Sequence, residues 1–297
     1  MNKLKILHVG DKAGVAGCLA KFQRRIGQSS NVVVTEVEYD TNGLGHHQYY
    51  KPVVVGPVHR RFAGFGKLTK PLRFLQRKVA LLVFYVVVGF YSRRFDVVHI
   101  HSDWKVGFFI RKPKVFEFHG SDVRGFPLKK GNREKKLTAL FLKVFGGKYY
   151  FLVSTKDLLK CLPCAEWLAN PVDRDIFKKN PERLGCYALY IKNYYESDQR
   201  AVVLCDVKQW GYAILDRGSG EIVSYRAMPT FLGNFDYFID RHSIHSLSKT
   251  ALEALAVGCK VVDWKGEIVR GLPVEHEPFT VARKSLVHYD LVIGGYF

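Results

Sequence analysis

Apolar residues in this chain come in short blocks separated by polar and glycine-rich joints. Residues 5–9 (K-I-L-H-V) have a short buried-strand pattern and run into Gly10-Asp-Lys-Ala-Gly14-Val-Ala-Gly17. An amphipathic helix is predicted over 18–26, a strand over 31–39 and a turn-rich joint over 43–57. Residues 72–92 read as a helix, although their Val, Phe and Tyr content also suits a strand. Strands are predicted at 95–101, 114–119 and 149–154, with a helix at 137–145. Strand–helix alternation of this kind implies a doubly wound parallel sheet.

Asn170-Pro171-Val172-Asp173 breaks the pattern, and a second alternation begins beyond it. Strands are predicted at 188–192, 201–207, 212–216 and 221–225, a short helix at 229–234 and a strand at 237–240. A helix opening near 248–250 and ending at Gly258 precedes a last strand at 260–264. The expectation is two α/β domains, 1–172 and 173–297, with a linker near 170–185 and a cleft between them. The final segment is a candidate to pack back on the first domain.

The segment 246–262, S-L-S-K-T-A-L-E-A-L-A-V-G-C-K-V-V, has the layout of a phosphate site. A hydroxyl- and lysine-bearing turn opens a helix, whose N-terminus offers N–H groups and a positive dipole end to an anion. Lys249, Thr250 and Glu253 share one helix face, so Glu253 could reach a hydroxyl such as a ribose close to the phosphates. The same residues also fit a capping box (Thr250, Glu253) and an ordinary ion pair (Lys249, Glu253).

A chain of 297 residues suits two domains, and 47% apolar with 14% aromatic content excludes disorder. The start goes directly into a strand without a signal-peptide layout, and the longest uncharged apolar run, 79–91, is too short for a span. That run is expected to be a buried or interfacial helix. Six scattered cysteines then read as reduced core residues of a cytoplasmic protein, and Cys161-Leu-Pro-Cys164 does not open a helix as a redox pair should. Charge is unevenly spread. Residues 1–160 hold 30 Lys+Arg against 10 Asp+Glu, and no acid lies between Asp40 and Asp96. Arg60, Arg61, Arg73, Arg77 and Lys78 fall in that span. A solvated basic face is the plain reading. Attraction to an anionic membrane surface or an anionic acceptor is the functional one, with nucleic acid ranked lower.

Several other constellations carry candidate chemistry. Gly10, Gly14 and Gly17 have the wrong spacing for a dinucleotide fingerprint but suit a loop at a strand end. His99-Ile-His101-Ser-Asp103 places two histidines on one strand face, yet position 104 is Trp where a further histidine would stand. Asp173-Arg-Asp175 lies in the linker, and His242 with His245 lacks a partner carboxylate. No metal site is expected at any of these. Phe118-His119-Gly120-Ser121-Asp122 ends a strand at the carboxyl edge where α/β sheets bind ligands, so His119 and Asp122 are candidate catalytic residues.

Taken in order, these pieces resemble a family 4, retaining glycosyltransferase of the GT-B fold, particularly its archaeal and archaeal-virus-like members. The resemblance runs through K-I-L-H-V-G with its glycine loop, F-D-V-V-H-I-H, F-H-G-S-D-V-R-G, V-S-T-K-D-L-L, N-P-V-D-R-D-I-F, M-P-T-F-L-G-N-F-D-Y-F-I-D-R and the 246–262 segment. It implies two Rossmann-like domains facing a cleft, the second one short. The implied reaction moves a hexosyl group, with retention and without a metal, from a UDP- or GDP-sugar to a lipid-linked, glycan or protein acceptor, and needs no cofactor beyond that donor. Gly14 and Gly17 would lie by a sugar, and His119 would contact the transferred one. Ser248, Lys249 and Thr250 would hold the diphosphate and Glu253 the ribose. Lys192 and Arg200 would neutralise the leaving group. His245 stands where the family has its first glutamate, which puts sugar choice or activity in question. A DNA-modifying transferase and a non-catalytic nucleotide-sugar-binding protein of the same fold are the alternatives. The implied location is cytoplasmic, or peripheral on the inner membrane face.

Overall fold

The computed structural model describes residues 3–11, 14–35, 53–55, 70–120, 123, 133–179, 187–192, 197–219 and 223–296, with backbone only at 35, 53–55, 70–77, 133–135 and 218. It divides the chain into two compact units: Met1–Ala169 with Val281–Phe297, and Asn170–Thr280. Arg60, Arg61 and Asp122 lie outside the described residues, as do the side chains of Arg73 and Arg77.

The first unit is built on a seven-stranded sheet in the order β3-β2-β1-β4-β5-β6-β7. Its strands are β1 (Lys5–Val9), β2 (Ser29–Thr35), β3 (Val53–Val55), β4 (Val97–His101), β5 (Lys114–Phe118), β6 (Tyr150–Val153) and β7 (Glu166–Trp167). All neighbours pair in parallel. A parallel sheet needs cover on both faces, which is why β4 is buried at every position. One face carries Leu7, Val98, Ile100, Phe116 and Phe151 under α2 (Lys70–Tyr91) and α3 (Arg133–Phe145). The other carries Ile6, Val97, Val115 and Leu152 under α1 (Val15–Arg25) and α7 (Pro278–Gly294).

Alternation has a consequence on the α1/α7 face. Two residues beyond Ile6, Val97 and Val115 stand His8, His99 and Glu117, and two further on stand His101 and His119. The register sets His8 beside His99 and His101 beside Glu117. The apolar face therefore turns polar toward the carboxyl ends of its strands while remaining buried.

Helix α2 buries Phe84, Tyr85 and Val88 and leaves Val79, Leu82, Val83, Val86, Val87 and Phe90 exposed. The apolar run read as a buried or interfacial helix thus has one buried and one open side. Gly89 is where α2 meets the 3-10 turn Trp104–Phe109: a Cβ there would stand 2.6 Å from the Phe109 carbonyl oxygen. No helix among the described residues is long and apolar enough to cross a membrane.

The second unit is a five-stranded sheet in the order β12-β11-β10-β8-β9. Strands β8 (Tyr187–Lys192), β9 (Gly211–Asp216), β10 (Tyr237–Ile239) and β11 (Lys260–Val262) run parallel, and β12 (Ile268–Arg270) is an antiparallel edge. Helices α5 (Met228–Gly233) and α6 (Lys249–Val257) pack on one face through Met228, Leu232, Leu252 and Leu255. Helix α4 (Gln199–Lys208) covers the other through Ala201 and Cys205.

Two elements differ from the sequence expectation. Residues 201–207 are helix, not strand. Ala201 and Cys205, four apart, face the sheet, while Val203 and Val207 point to solvent and supply β-propensity without strand burial. Within 221–225, residues 223–225 carry no strand; they follow the 3-10 turn Arg217–Ser219 and lead into α5. Both units are Rossmann-like α/β folds.

Candidate functional site

Each sheet has a switch point, where successive connections leave in opposite directions and open a crevice at the carboxyl ends of the strands. In the second unit it falls between β8 and β10. A cleft of about 580 Å³ opens there, lined by Tyr190, Ser197, Gln199, Arg200, Val203, His242 and Ser243. The volume suits a ligand of nucleotide size. Arg200 donates from Nη2 to the Trp264 carbonyl at 2.8 Å, and its buried Nη1 has no hydrogen-bond partner. Lys192 is committed elsewhere: its ammonium lies 3.4 Å from Asp216 Oδ2 and 3.7 Å from Asp198 Oδ2.

Beyond β10, Asp240 organises the start of α6. Its Oδ2 accepts the Ser248 backbone N–H at 2.9 Å and its Oδ1 the Arg241 N–H at 2.9 Å. Burial pushes the Asp240 carboxyl up, against those hydrogen bonds. Ser248, in extended conformation, is the N-cap, and its Oγ accepts the Ala251 N–H at 3.1 Å. The alternative Thr250–Glu253 capping box is therefore not formed, because the helix begins two residues too early for it. Lys249 and Glu253 do pair across one turn at 3.7 Å, while Lys249 Nζ also donates to the Pro171 carbonyl. Thr250 is half-buried and His245 exposed.

Glu253 is 4% exposed, and its Oε1 has no hydrogen-bond partner. Burial raises its carboxyl to about 7, opposed by Lys249 and by Arg217. Arg217 is itself lowered by burial and by repulsion from Arg241. Arg217 thus feels both a like charge and the buried acid, and an anion would offset the repulsion.

In the first unit the switch point falls between β1 and β4. Gly14, at φ 72°, is the N-cap of α1, and Asp11 Oδ1 accepts the Ala16 N–H at 2.9 Å. Gly17 is not in the loop, as the sequence suggested, but is buried within α1. Behind this edge lies the polar cluster. His8 Nδ1 is 3.0 Å from His101 Nε2, and His8 Nε2 is 2.9 Å from Gln23 Oε1. His101 Nδ1 is 3.1 Å from His119 Nε2. Glu117 Oε2 lies 3.0 Å from His99 Nε2 and 3.3 Å from His101 Nδ1. Burial holds His8 and His99 near 3 and His101 well below its ordinary value, and it raises Glu117 to about 7. The rings are thus neutral. His8, His99 and His101, and likewise His101, Glu117 and His119, bring ligand atoms within 4.8 Å of one another.

With this geometry in view, the chain is similar across most of its length to solved α/β structures. Sucrose-phosphate synthase from Thermosynechococcus elongatus shares 10% identity over 98% of this chain and 92% of its own, with a TM-score of 0.49. UDP-N-acetylglucosamine 2-epimerase from Rickettsia bellii shares 9% over 99% and 98%, also at 0.49. Spinosyn forosaminyltransferase SpnP shares 13% over 88% and 79%, at 0.42. No family model and no curated protein matches the sequence.

Sequence reasoning did not single out Arg217, Arg241, Asp240, Glu117 or His8. Asp240 carried a usable signal, a carboxylate at a strand end eight residues before a helix cap. The arginines did not, since only the fold brings Arg217 near enough to feel both Arg241 and Glu253. Cys161 and Cys164 are unbridged and follow a 3-10 turn, Lys156–Lys160.

Proposed function

We propose that this chain is a retaining glycosyltransferase of the GT-B type, moving a hexosyl group from a UDP- or GDP-sugar to an acceptor. The observation that carries the reading is Glu253: a buried carboxyl whose Oε1 makes no hydrogen bond and stands 3.7 Å from Lys249 Nζ, one turn inside a helix that Ser248 opens. An orphaned buried acceptor costs about 1–3 kcal/mol, and a ribose hydroxyl would satisfy it. The donor diphosphate lies at the positive end of α6. Arg200, Arg217 and Arg241 offset its charge, so no cation is needed at the phosphates. On the first unit, His119 contacts the sugar and Gly14 borders it. The open apolar side of α2 and its flanking Lys78, Arg93 and Arg94 face the acceptor, a lipid-linked one at an anionic membrane surface.

A screen of UDP- and GDP-sugars by thermal shift tests this, since a ligand selective for the folded state raises the melting temperature. One donor class should raise it in the wild type and not in Glu253→Ala, and the same donor should be consumed. Unchanged donor affinity in Glu253→Ala refutes the ribose role. A second reading, a non-catalytic nucleotide-sugar-binding protein, is favoured by one feature: exposed His245 where a glutamate would be required. Transfer or hydrolysis of the bound donor rejects it.

A further inference from the structure

The buried cluster on the first unit contains three groups whose lone pairs converge. Proton positions in it are set from the α7 side. Ser285 gives its hydroxyl proton to the Ala282 carbonyl at 2.7 Å, so its oxygen must accept from Gln23 Nε2 at 2.9 Å. That fixes the Gln23 amide with Oε1 toward His8. His8 then donates from Nε2 to Gln23, and its bare Nδ1 accepts from His101 Nε2–H at 3.0 Å. His101 is left with an unprotonated Nδ1.

That nitrogen faces His119 Nε2 at 3.1 Å and Glu117 Oε2 at 3.3 Å, while Glu117 Oε1 is 3.8 Å from His119 Nε2. Neighbouring ligands on a tetrahedral zinc ion with bonds of about 2.0–2.1 Å stand about 3.3 Å apart. Glu117 supplies the second argument. It is 1% exposed, and neither of its carboxylate oxygens makes a hydrogen bond. Histidine nitrogens stand around it, His99 Nε2 at 3.0 Å and His101 Nδ1 at 3.3 Å, and a cation held among them would balance the buried carboxylate charge.

We propose that His101 Nδ1, Glu117 and His119 Nε2 form a binding site for a late first-row divalent cation, with Zn²⁺ as the matching ion. Two imidazoles and one carboxylate are the borderline donors such ions prefer. His8, holding the opposite nitrogen of His101, is the outer partner that orients the ring, and Gln23 holds His8 in turn. Three protein ligands leave a fourth position for water or a ligand oxygen. The site belongs to the first unit and the diphosphate turn to the second; His119 is shared with the sugar contact proposed above, so the test reads metal binding and not turnover.

The test is metal binding by the full chain carrying Cys161→Ser and Cys164→Ser, which removes two accessible thiols. Zn²⁺ titration against a chromogenic chelator should show one tight equivalent. Co²⁺ should give the intense visible bands of a low-coordinate ion without thiolate charge transfer. His119→Ala, at the solvent rim, and Glu117→Gln should each weaken Zn²⁺ by at least about 100-fold, and His8→Gln by about 10- to 100-fold. Zn²⁺ should raise the melting temperature of the parent and not of His119→Ala. No tight equivalent in the parent, or a folded His119→Ala chain that binds as the parent does, overturns the proposal. Donor binding is read separately, by the nucleotide-sugar screen on Glu253→Ala, which keeps His119.

Discussion

Lys249 Nζ stands 3.7 Å from Glu253 Oε1, and together they close an ion pair over the first turn of α6. The pair is lopsided. Lys249 also reaches the Pro171 carbonyl, whereas Glu253 is buried deeply enough that its carboxyl is raised from 4.5 to about 7. The unfolded chain releases this proton near 4.5, so between those values the folded state binds more protons. Stability therefore falls as pH rises through that window and stays lower above it, by about 3 kcal/mol at 1.36 kcal/mol per unit. Glu253→Gln should unfold at higher urea than wild type at pH 8 and match it near pH 4.5. The same variant should bind donor more weakly. A loss of stability at pH 8 would show that the Lys249 pair outweighs the burial cost.

Arg200 and Lys192 were read from sequence as a cationic pair, but their surroundings separate them. Arg200 keeps a buried nitrogen without a partner, while Lys192 is shared by Asp198 and Asp216. Arg200→Ala should weaken nucleoside diphosphate binding by about 10- to 100-fold, the worth of a charge-assisted hydrogen bond. Lys192→Ala should cost less. Calorimetric titration of both variants decides the order, and a larger loss at Lys192 reverses the assignment.

Arg217 is attracted by Glu253 and repelled by Arg241. Discharging that repulsion favours the ligand with more phosphate charge. Arg217→Gln should therefore reduce affinity for a nucleoside diphosphate more than for the nucleoside, and flatten the salt dependence of binding. Equal losses for both ligands would place Arg217 away from the phosphates.

Gly89 has no room for a side chain, since a Cβ would meet the Phe109 carbonyl oxygen at 2.6 Å. Gly89→Ala must push α2 off the Trp104–Phe109 turn and should cost about 1–3 kcal/mol by urea unfolding. Its stabilising effect on helix propensity is smaller, about 1 kcal/mol. A more stable variant would mean that the turn yields freely.

On the open side of α2, Arg93 lies 4.7 Å over the Phe90 ring, a cation beside exposed apolar surface. Leu82→Glu with Phe90→Glu should abolish sedimentation with anionic vesicles while leaving the melting temperature near wild type, because both side chains are exposed. Unchanged sedimentation removes the membrane-facing role of this helix.

The sheet of the first unit was legible because buried parallel strands read as dense apolar runs: K-I-L-H-V, V-V-H-I-H and K-V-F-E-F are β1, β4 and β5. Helix α4 was not, since A-V-V-L-C-D-V satisfies a strand pattern unless one knows that only Ala201 and Cys205 are covered. Helix α7 and the antiparallel β12 carried no signal that was read. For the α6 segment the sequence supplied the residues but not their duties: Ser248 caps, Lys249 turns inward and Asp240 anchors. The H-x-H run of β4 has no partners close by along the chain. They stand on neighbouring strands instead, and strand register cannot be read from one sequence.

Helix α7 bears on how the chain is made. Gln23 on α1 bonds to Ser285 and Tyr289, and His99 to Tyr289, across most of the polypeptide. During vectorial synthesis residues 1–169 leave the ribosome with one face of their sheet covered by α1 but not by α7, which arrives only after nearly the whole second unit has been translated. The interval leaves a partly covered, histidine-rich face open to wrong partners, the circumstance in which nascent chains lean on chaperones. It also means that a stop codon before α7 would damage the unit made first.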